Sequence, residues 1–182
     1  IVVTGMGTRG SLGNNVVDTW ATVTEGRTAI VPWEHDLPKP YDVHVVAAAA
    51  AVASAELVEI GMKHKQIKNM HRGVQLGFLA THEAMQQAGI ADGASARLGA
   101  DIDPTRVAVF VSSGIGGANE IIDANRRMSG IDEREWSPVE PLAKKDPSNP
   151  PPSMTLRILP DRAASVFGMN IGARGPMRVN TT

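Results

Sequence analysis

The residue pattern predicts an α/β fold built in layers, and three observations carry that expectation. The apolar run Val107-Ala108-Val109-Phe110-Val111 lacks the polar alternation of a half-exposed strand, so it reads as a strand buried on both faces, as in a parallel sheet. Residues 69–88 place Met70, Val74, Gly77, Phe78, Thr81, Met85 and Ala88 at helical spacing. Along the chain the elements follow the order strand–helix–helix–strand–helix–helix–strand, which favours helices packed on a sheet.

Taken in order, Ile1 to Thr4 reads as a short buried strand stopped by Gly5, Gly7 and Gly10. The first helix has Asn14 or Asn15 as its cap and Asp18 in its first turn. Val16, Val17, Trp20, Ala21 and Val23 supply its apolar surface, and Gly26 its stop. Ile30 to Pro40 is Pro-rich and reads as irregular. Val43 to Ala55 is so rich in alanine that periodicity does not separate strand from helix. The second helix runs from Asn69 to Ala88 and closes at Gly89. A strand from Arg106 to Ser113 then meets Gly114-Ile115-Gly116-Gly117, and a third helix follows with Ile121, Ile122 and Met128 as its apolar side. Most prolines fall in 137–160, an irregular excursion. A short helix, Arg162 to Phe167, and a strand, Met177 to Thr182, close the series.

Composition narrows the function classes. The 182 residues are 42% hydrophobic and 20% charged, with a net charge of −1. That balance favours a soluble globular protein and gives no basis for nucleic acid as a partner, since phosphate binding calls for a basic surface. No cysteine is present, which removes disulfides, cysteine metal sites and a thiol nucleophile from these residues. No apolar run approaches the roughly 18–20 residues of a membrane helix. Val43 to Ala53 is too short and is interrupted by His44. The start, Ile1-Val2-Val3-Thr4, has neither a basic leader nor an initiator methionine, so the chain is expected to begin inside a strand of a longer, cytoplasmic protein.

Gly5-Met6-Gly7-Thr8-Arg9-Gly10 matches the dinucleotide-binding pattern G-x-G-x-x-G. That chemistry needs a helix starting at the glycines, so that its amides hold the pyrophosphate. Here the helix starts late, after Ser11-Leu12-Gly13-Asn14-Asn15, and no apolar strand ending in Asp or Glu follows it. Val111-Ser112-Ser113-Gly114 is not a nucleophile elbow either, because Phe110 and Val111 occupy the positions that require glycine. Ser113 reads as a turn-orienting residue, and Ile115 between glycines as a pocket wall. The histidines His35, His44, His64, His71 and His82 lack metal-ligand spacing. His64 and His71, on one helix, would lie about 10 Å apart along its axis. Lys63, Lys65, Lys68 and Arg72 form the one concentrated basic stretch, either a solvated helix entrance or a docking patch for an acidic partner.

Several segments together resemble the elongating β-ketoacyl-acyl-carrier-protein synthases. These are Val2-Val3-Thr4-Gly5-Met6-Gly7, Leu12-Gly13-Asn14, Trp20, Gly26-Arg27, Ala84-Met85-Gln86-Gln87-Ala88-Gly89, Arg106-Val107 through Gly117, Leu159-Pro160-Asp161 to Ala164, and Gly172-Ala173-Arg174-Gly175-Pro176. They occur in the family's order over most of the chain. The resemblance implies the amino-terminal half of a thiolase-like fold, residues 1–182, with the 137–160 excursion as its cap.

It also implies a decarboxylating Claisen condensation on acyl and malonyl thioesters held by an acyl carrier protein, with no cofactor and no metal. The nucleophilic cysteine would lie about two residues after Thr182, activated at a helix N-terminus, so no catalytic residue is expected in this chain. Gly114, Ile115 and Gly116 match the family's acyl-pocket gate. Lys63, Lys65, Lys68 and Arg72 match its carrier-docking residues. Met177, Val179 and Thr181 match the strand that pairs across a homodimer or a heterodimer with a homologous subunit. His71 stands where the family more often has an acidic residue, and the alanine run at 47–51 and the proline-rich cap also depart from it. Two alternatives stay open: a catalytically silent chain-length-factor-like subunit, and a nicotinamide-dependent oxidoreductase.

Overall fold

The computed structural model describes residues 1–33, 44–114, 116–122, 157–159 and 162–181. Helix α1 spans Val16–Thr24. Asn15 caps it in an extended conformation, its side chain accepting from the Asp18 amide at 2.7 Å. Gly26, at φ +65°, ends it. Short strands β1 (Val31–Pro32) and β2 (Val45–Val46) pair antiparallel. The segment expected to be irregular from Ile30 therefore contributes two residues to a ladder, and the undecided stretch supplies their partner. Residues 34–43 lie outside the described residues.

Helices α2 (Ser54–Glu59) and α3 (His64–Ile67) precede the long helix α4, Arg72–Gln87. The expected start at Asn69 is three residues early. His71 is extended at ψ 161°, which breaks the helical path between α3 and α4. His64 and His71 thus flank separate helices. The core gathers Leu57, Met62, Ile67, Met70, Val74 and Phe78 from this side, with Ala163, Val166, Phe167 and Ile171 from the last helix, α5 (Arg162–Ile171). Phe78 is 1% exposed and tilts 54° against Phe167, with ring centroids 5.7 Å apart. Gly77 permits that contact: a Cβ there would lie 3.0 Å from the Phe167 ring.

A 3-10 turn, Pro104–Arg106, leads into strand β3, Val109–Ser113. Asp103 caps the turn. The Thr105 hydroxyl, at 2.7 Å, and then its amide hold the Asp103 carboxyl below its ordinary pKa. Strand β4, Met177–Thr181, runs parallel to β3, with Val109 opposite Met177 and Ser113 opposite Thr181. Helix α5 crosses over between them and packs on both.

Three expectations about burial and pairing fail. Ile1 to Thr4 forms no strand: Ile1, Val2 and Val3 are exposed. A strand exists only against a ladder partner, and no described strand runs beside these residues. Strand β3 is buried on one face only: Val109 is buried, whereas Phe110 is 67% exposed. α5 covers one side of the two-stranded sheet, and no described element covers the other. Helix α1 likewise turns Val17, Trp20 and Val23 outward, and its inner stripe is Val16, Thr19 and Thr22. The third helix is described over residues 118–122, with Ile121 half-buried and Ile122 exposed. Met128 and most of the 137–160 excursion lie outside the described residues.

Candidate functional site

Parallel strands end side by side, and ligands of open α/β sheets gather beyond those carboxyl ends. Here Ser113 and Thr181 are partners in register, so the turn 114–117 emerges beside the end of β4. Gly114 is exposed, Gly116 takes φ +76°, and Gly117 is buried. Ile115, the expected gate residue, lies outside the described residues.

Around that turn stand groups with no periodic signature in the sequence. A Cβ on Gly117 would lie 2.5 Å from the Arg157 carbonyl oxygen and 3.0 Å from Glu120 Oε2. Arg157 Nη2 donates to Glu120 Oε1 at 3.0 Å. His71, at the entrance to α4, is buried and within electrostatic reach of both charges. Burial lowers its pKa below the ordinary 6.5; the Glu120 carboxylate opposes that shift and the Arg157 guanidinium adds to it. Between 6.5 and the lower folded value the unfolded chain binds more protons than the folded one. Stability therefore falls as pH drops below 6.5 and levels off below the folded value. In the complete protein, His71→Gln is expected to flatten this decline, measured as melting temperature between pH 7.5 and about pH 5. An unchanged slope would assign the decline to other groups.

Of the expected docking residues, Lys63 and Lys65 line one groove, Lys68 is exposed next to it in the chain, and Arg72 is engaged elsewhere. Lys63, Lys65 and Lys68 are exposed at and around α3 and form no ion pair among the described residues. Gln66 organises the helix start by accepting from the Lys63 amide at 3.0 Å, and its amide nitrogen donates to Asn170 of α5 at 2.8 Å. The groove between α3 and α5 has a volume of about 280 Å³. Lys63, Lys65, Asn69, Arg162 and the exposed Met169 line it, with no acidic side chain. Arg162 is the cation that sequence spacing missed, because α3 and α5 are remote in the chain. The Arg72 guanidinium is engaged by the carbonyls of Ala49 and Ala50.

Met177, Val179 and Thr181 alternate along β4. Val179 is half-buried against the core, while Met177 and Thr181 are exposed. β4 pairs only with β3 among the described residues, which leaves its other edge open.

The nucleotide-binding alternative fails on packing. A Cβ on Gly5 would stand 2.1 Å from the Ala84 carbonyl oxygen, and one on Gly7 would stand 1.8 Å from that of Ala80. These glycines press against the α4 backbone and form no cradle for a pyrophosphate. Glu83 holds the segment there, one carboxylate oxygen accepting from the Thr8 amide at 2.9 Å and the other from Val16 at the start of α1 at 2.7 Å.

The family model of the β-ketoacyl synthase N-terminal domain matches residues 1–182. The 3-oxoacyl-[acyl-carrier-protein] synthase 2 of Staphylococcus aureus strain COL is 26% identical over 185 residues, covering 100% of this chain and 38% of the relative. Among solved structures, the ishigamide ketosynthase/chain length factor aligns with a TM-score of 0.72 at 19% identity, over 100% of this chain and 39% of its own. A type II polyketide-synthase acyl-carrier protein in complex with its ketosynthase bound to the hexaketide aligns with a TM-score of 0.68 at 18% identity. That match covers 98% of this chain and 36% of the other. The chain thus has a ketosynthase fold and spans well under half the length of the curated relative it matches. With the matching residues running from the first to the last, the chain belongs to the β-ketoacyl synthase family, as its N-terminal domain.

Proposed function

We propose that the protein containing this domain is a condensing acyltransferase of fatty-acid or polyketide synthesis. The observation that carries the reading is the family match over the whole chain, joined to a sheet whose two strand ends open at one place. In this reading a cysteine thiolate following β4 attacks the acyl thioester carbonyl and expels the carrier's thiolate, which then takes up a proton from water. Malonyl thioester then loses carbon dioxide, and its carbanion attacks the acyl-cysteine carbonyl, forming the carbon–carbon bond and releasing the thiolate. This domain contributes scaffold, the pocket wall at Gly114, Ile115 and Gly116, and a carrier-docking face.

That face is Lys63, Lys65 and Lys68, with Arg162 taking the place expected of Arg72. Support comes from the exposure of the three lysines, a groove whose charged lining residues, Lys63, Lys65 and Arg162, are all cations, and the acidic character that the resemblance implies for the carrier. Met177, Val179 and Thr181 serve as the strand that meets a homologous subunit, a role supported by the edge of β4 that no described strand occupies.

The test is condensation by the complete protein, followed as carbon dioxide release and β-ketoacyl product from acyl- and malonyl-carrier thioesters. Lys65→Glu with Lys68→Glu is expected to lower kcat/KM about tenfold with carrier-bound malonate, chiefly through association, and to leave malonyl-pantetheine turnover unchanged. Equal losses on both substrates would refute the docking role. No turnover alone, with turnover restored by a catalytic homologue, would assign the protein as a chain-length-factor-like subunit.

A further inference from the structure

Gly116, at φ +76°, and the buried Gly117 follow one another in the turn after β3, and a pair of glycines gives that backbone more freedom than most turns have. If it is a pocket wall, its position needs an external restraint. Such a restraint is present on its C-terminal side. Glu120 lies in the helical stretch 118–122 that follows the turn, and Arg157 comes from a segment 37 residues further along. Their contact, at 3.0 Å, is largely withdrawn from water: the Glu120 side chain is 12% exposed and that of Arg157 is 32% exposed. Charged hydrogen bonds in such surroundings are stronger and more directional than surface pairs. Arg157 also lays its own carbonyl over buried Gly117, where any side chain would collide with it. The same residue therefore grips the turn twice, through backbone packing and through charge. His71, held neutral by burial at ordinary pH, lies within reach of both charges and brings no third charge to compete.

We propose that Glu120 and Arg157 form a clamp that fixes the glycine turn and thereby sets the acyl length the pocket accepts. They are positioning residues, and the second half of the proposal rests on the ketosynthase reading. Losing either partner leaves the other charge partly buried and unpaired, and the turn regains its freedom. Arg157→Lys keeps the charge and is expected to hold much of the clamp.

The experiment uses the complete protein and two readouts. Amide hydrogen exchange over residues 114–122 is expected to rise about tenfold in Arg157→Ala and in Glu120→Gln. The double variant is expected to rise no further, since both substitutions break one contact. Arg9→Ala, which breaks the separate Arg9–Glu56 pair, serves as control and leaves this exchange unchanged. In parallel, the ratio of kcat/KM for the preferred acyl thioester to that for a homologue two carbons longer is expected to fall at least about fivefold in both clamp variants, with Arg157→Lys restoring it. Unchanged exchange overturns the clamp whatever the enzyme does. Faster exchange with an unaltered length ratio overturns its role in specificity. Faster exchange in a protein with no condensing activity upholds the clamp and refutes the ketosynthase reading.

Discussion

Gly7→Ala lowers the stability of the complete protein by about 3 kcal/mol, the upper end of overpacking penalties, and Gly5→Ala acts in the same direction. The expectation follows from what the added methyl group would meet. At Gly7 it would stand 1.8 Å from the Ala80 carbonyl oxygen and 2.9 Å from the Ala84 amide nitrogen. Both atoms belong to the interior of α4, whose own hydrogen bonds prevent them from moving aside. The first segment must then lift off the helix, losing the bonds from the Met6 amide to Gln87 and from the Thr8 amide to Glu83. Release of Thr8 also frees Glu83 from one of its two partners; the other is the Val16 amide that opens α1. Gly10→Ala is the matched control, because nothing lies within 4 Å of its added Cβ. Denaturant midpoints of the three variants decide the matter. If Gly7→Ala and Gly10→Ala cost the same, close approach to α4 is not the reason for this glycine.

Residues 1–182 produced alone are expected to self-associate and to bind hydrophobic dyes. Val2, Trp20 and Phe110 are 81%, 66% and 67% exposed, and Ile1, Val3, Val17 and Val23 join them at the surface. An apolar groove of about 440 Å³, lined by Met85, Val109, Phe110, Val111 and Phe167 among others, opens beside the sheet. Apolar surface of this extent marks an interface or an aggregation hazard. The two-stranded sheet β3–β4 also has open edges among the described residues, and open edges template pairing with other chains. Sedimentation of the isolated chain, compared with the complete protein, reads the effect. A monodisperse monomer with one cooperative unfolding transition would contradict it and would show that the domain stands by itself.

The candidate site was only partly legible in the sequence. The concentrated lysines at 63, 65 and 68 are neighbours in the chain and are exposed together in the fold, so spacing alone marked them. Arg72 looked equivalent. Its engagement with the carbonyls of Ala49 and Ala50 depends on how the alanine-rich stretch passes over α4, and alanines carry no pattern that announces it. Arg162 joins the cationic groove only because α5 docks beside α3, where Gln66 and Asn170 meet across 104 residues of chain.

What the sequence determined by itself is the set of elements that satisfy their own hydrogen bonds, or that glycine and asparagine punctuate. The long helix α4, an asparagine cap of α1 at position 14 or 15, the stops at Gly26 and Gly89, and the family to which the ordered segments point all belong to that set. Tertiary structure alone decided the rest. It left Ile1 to Thr4 without a ladder, exposed Phe110 on a strand that reads as fully buried, and set Glu83 across two backbone amides. It also brought Glu120 and Arg157 together over Gly117. A helix closes its bonds within four residues and so leaves its period in the chain. A strand, a buried face and an ion pair each need a partner from far away, and neither identity nor spacing says where that partner will be.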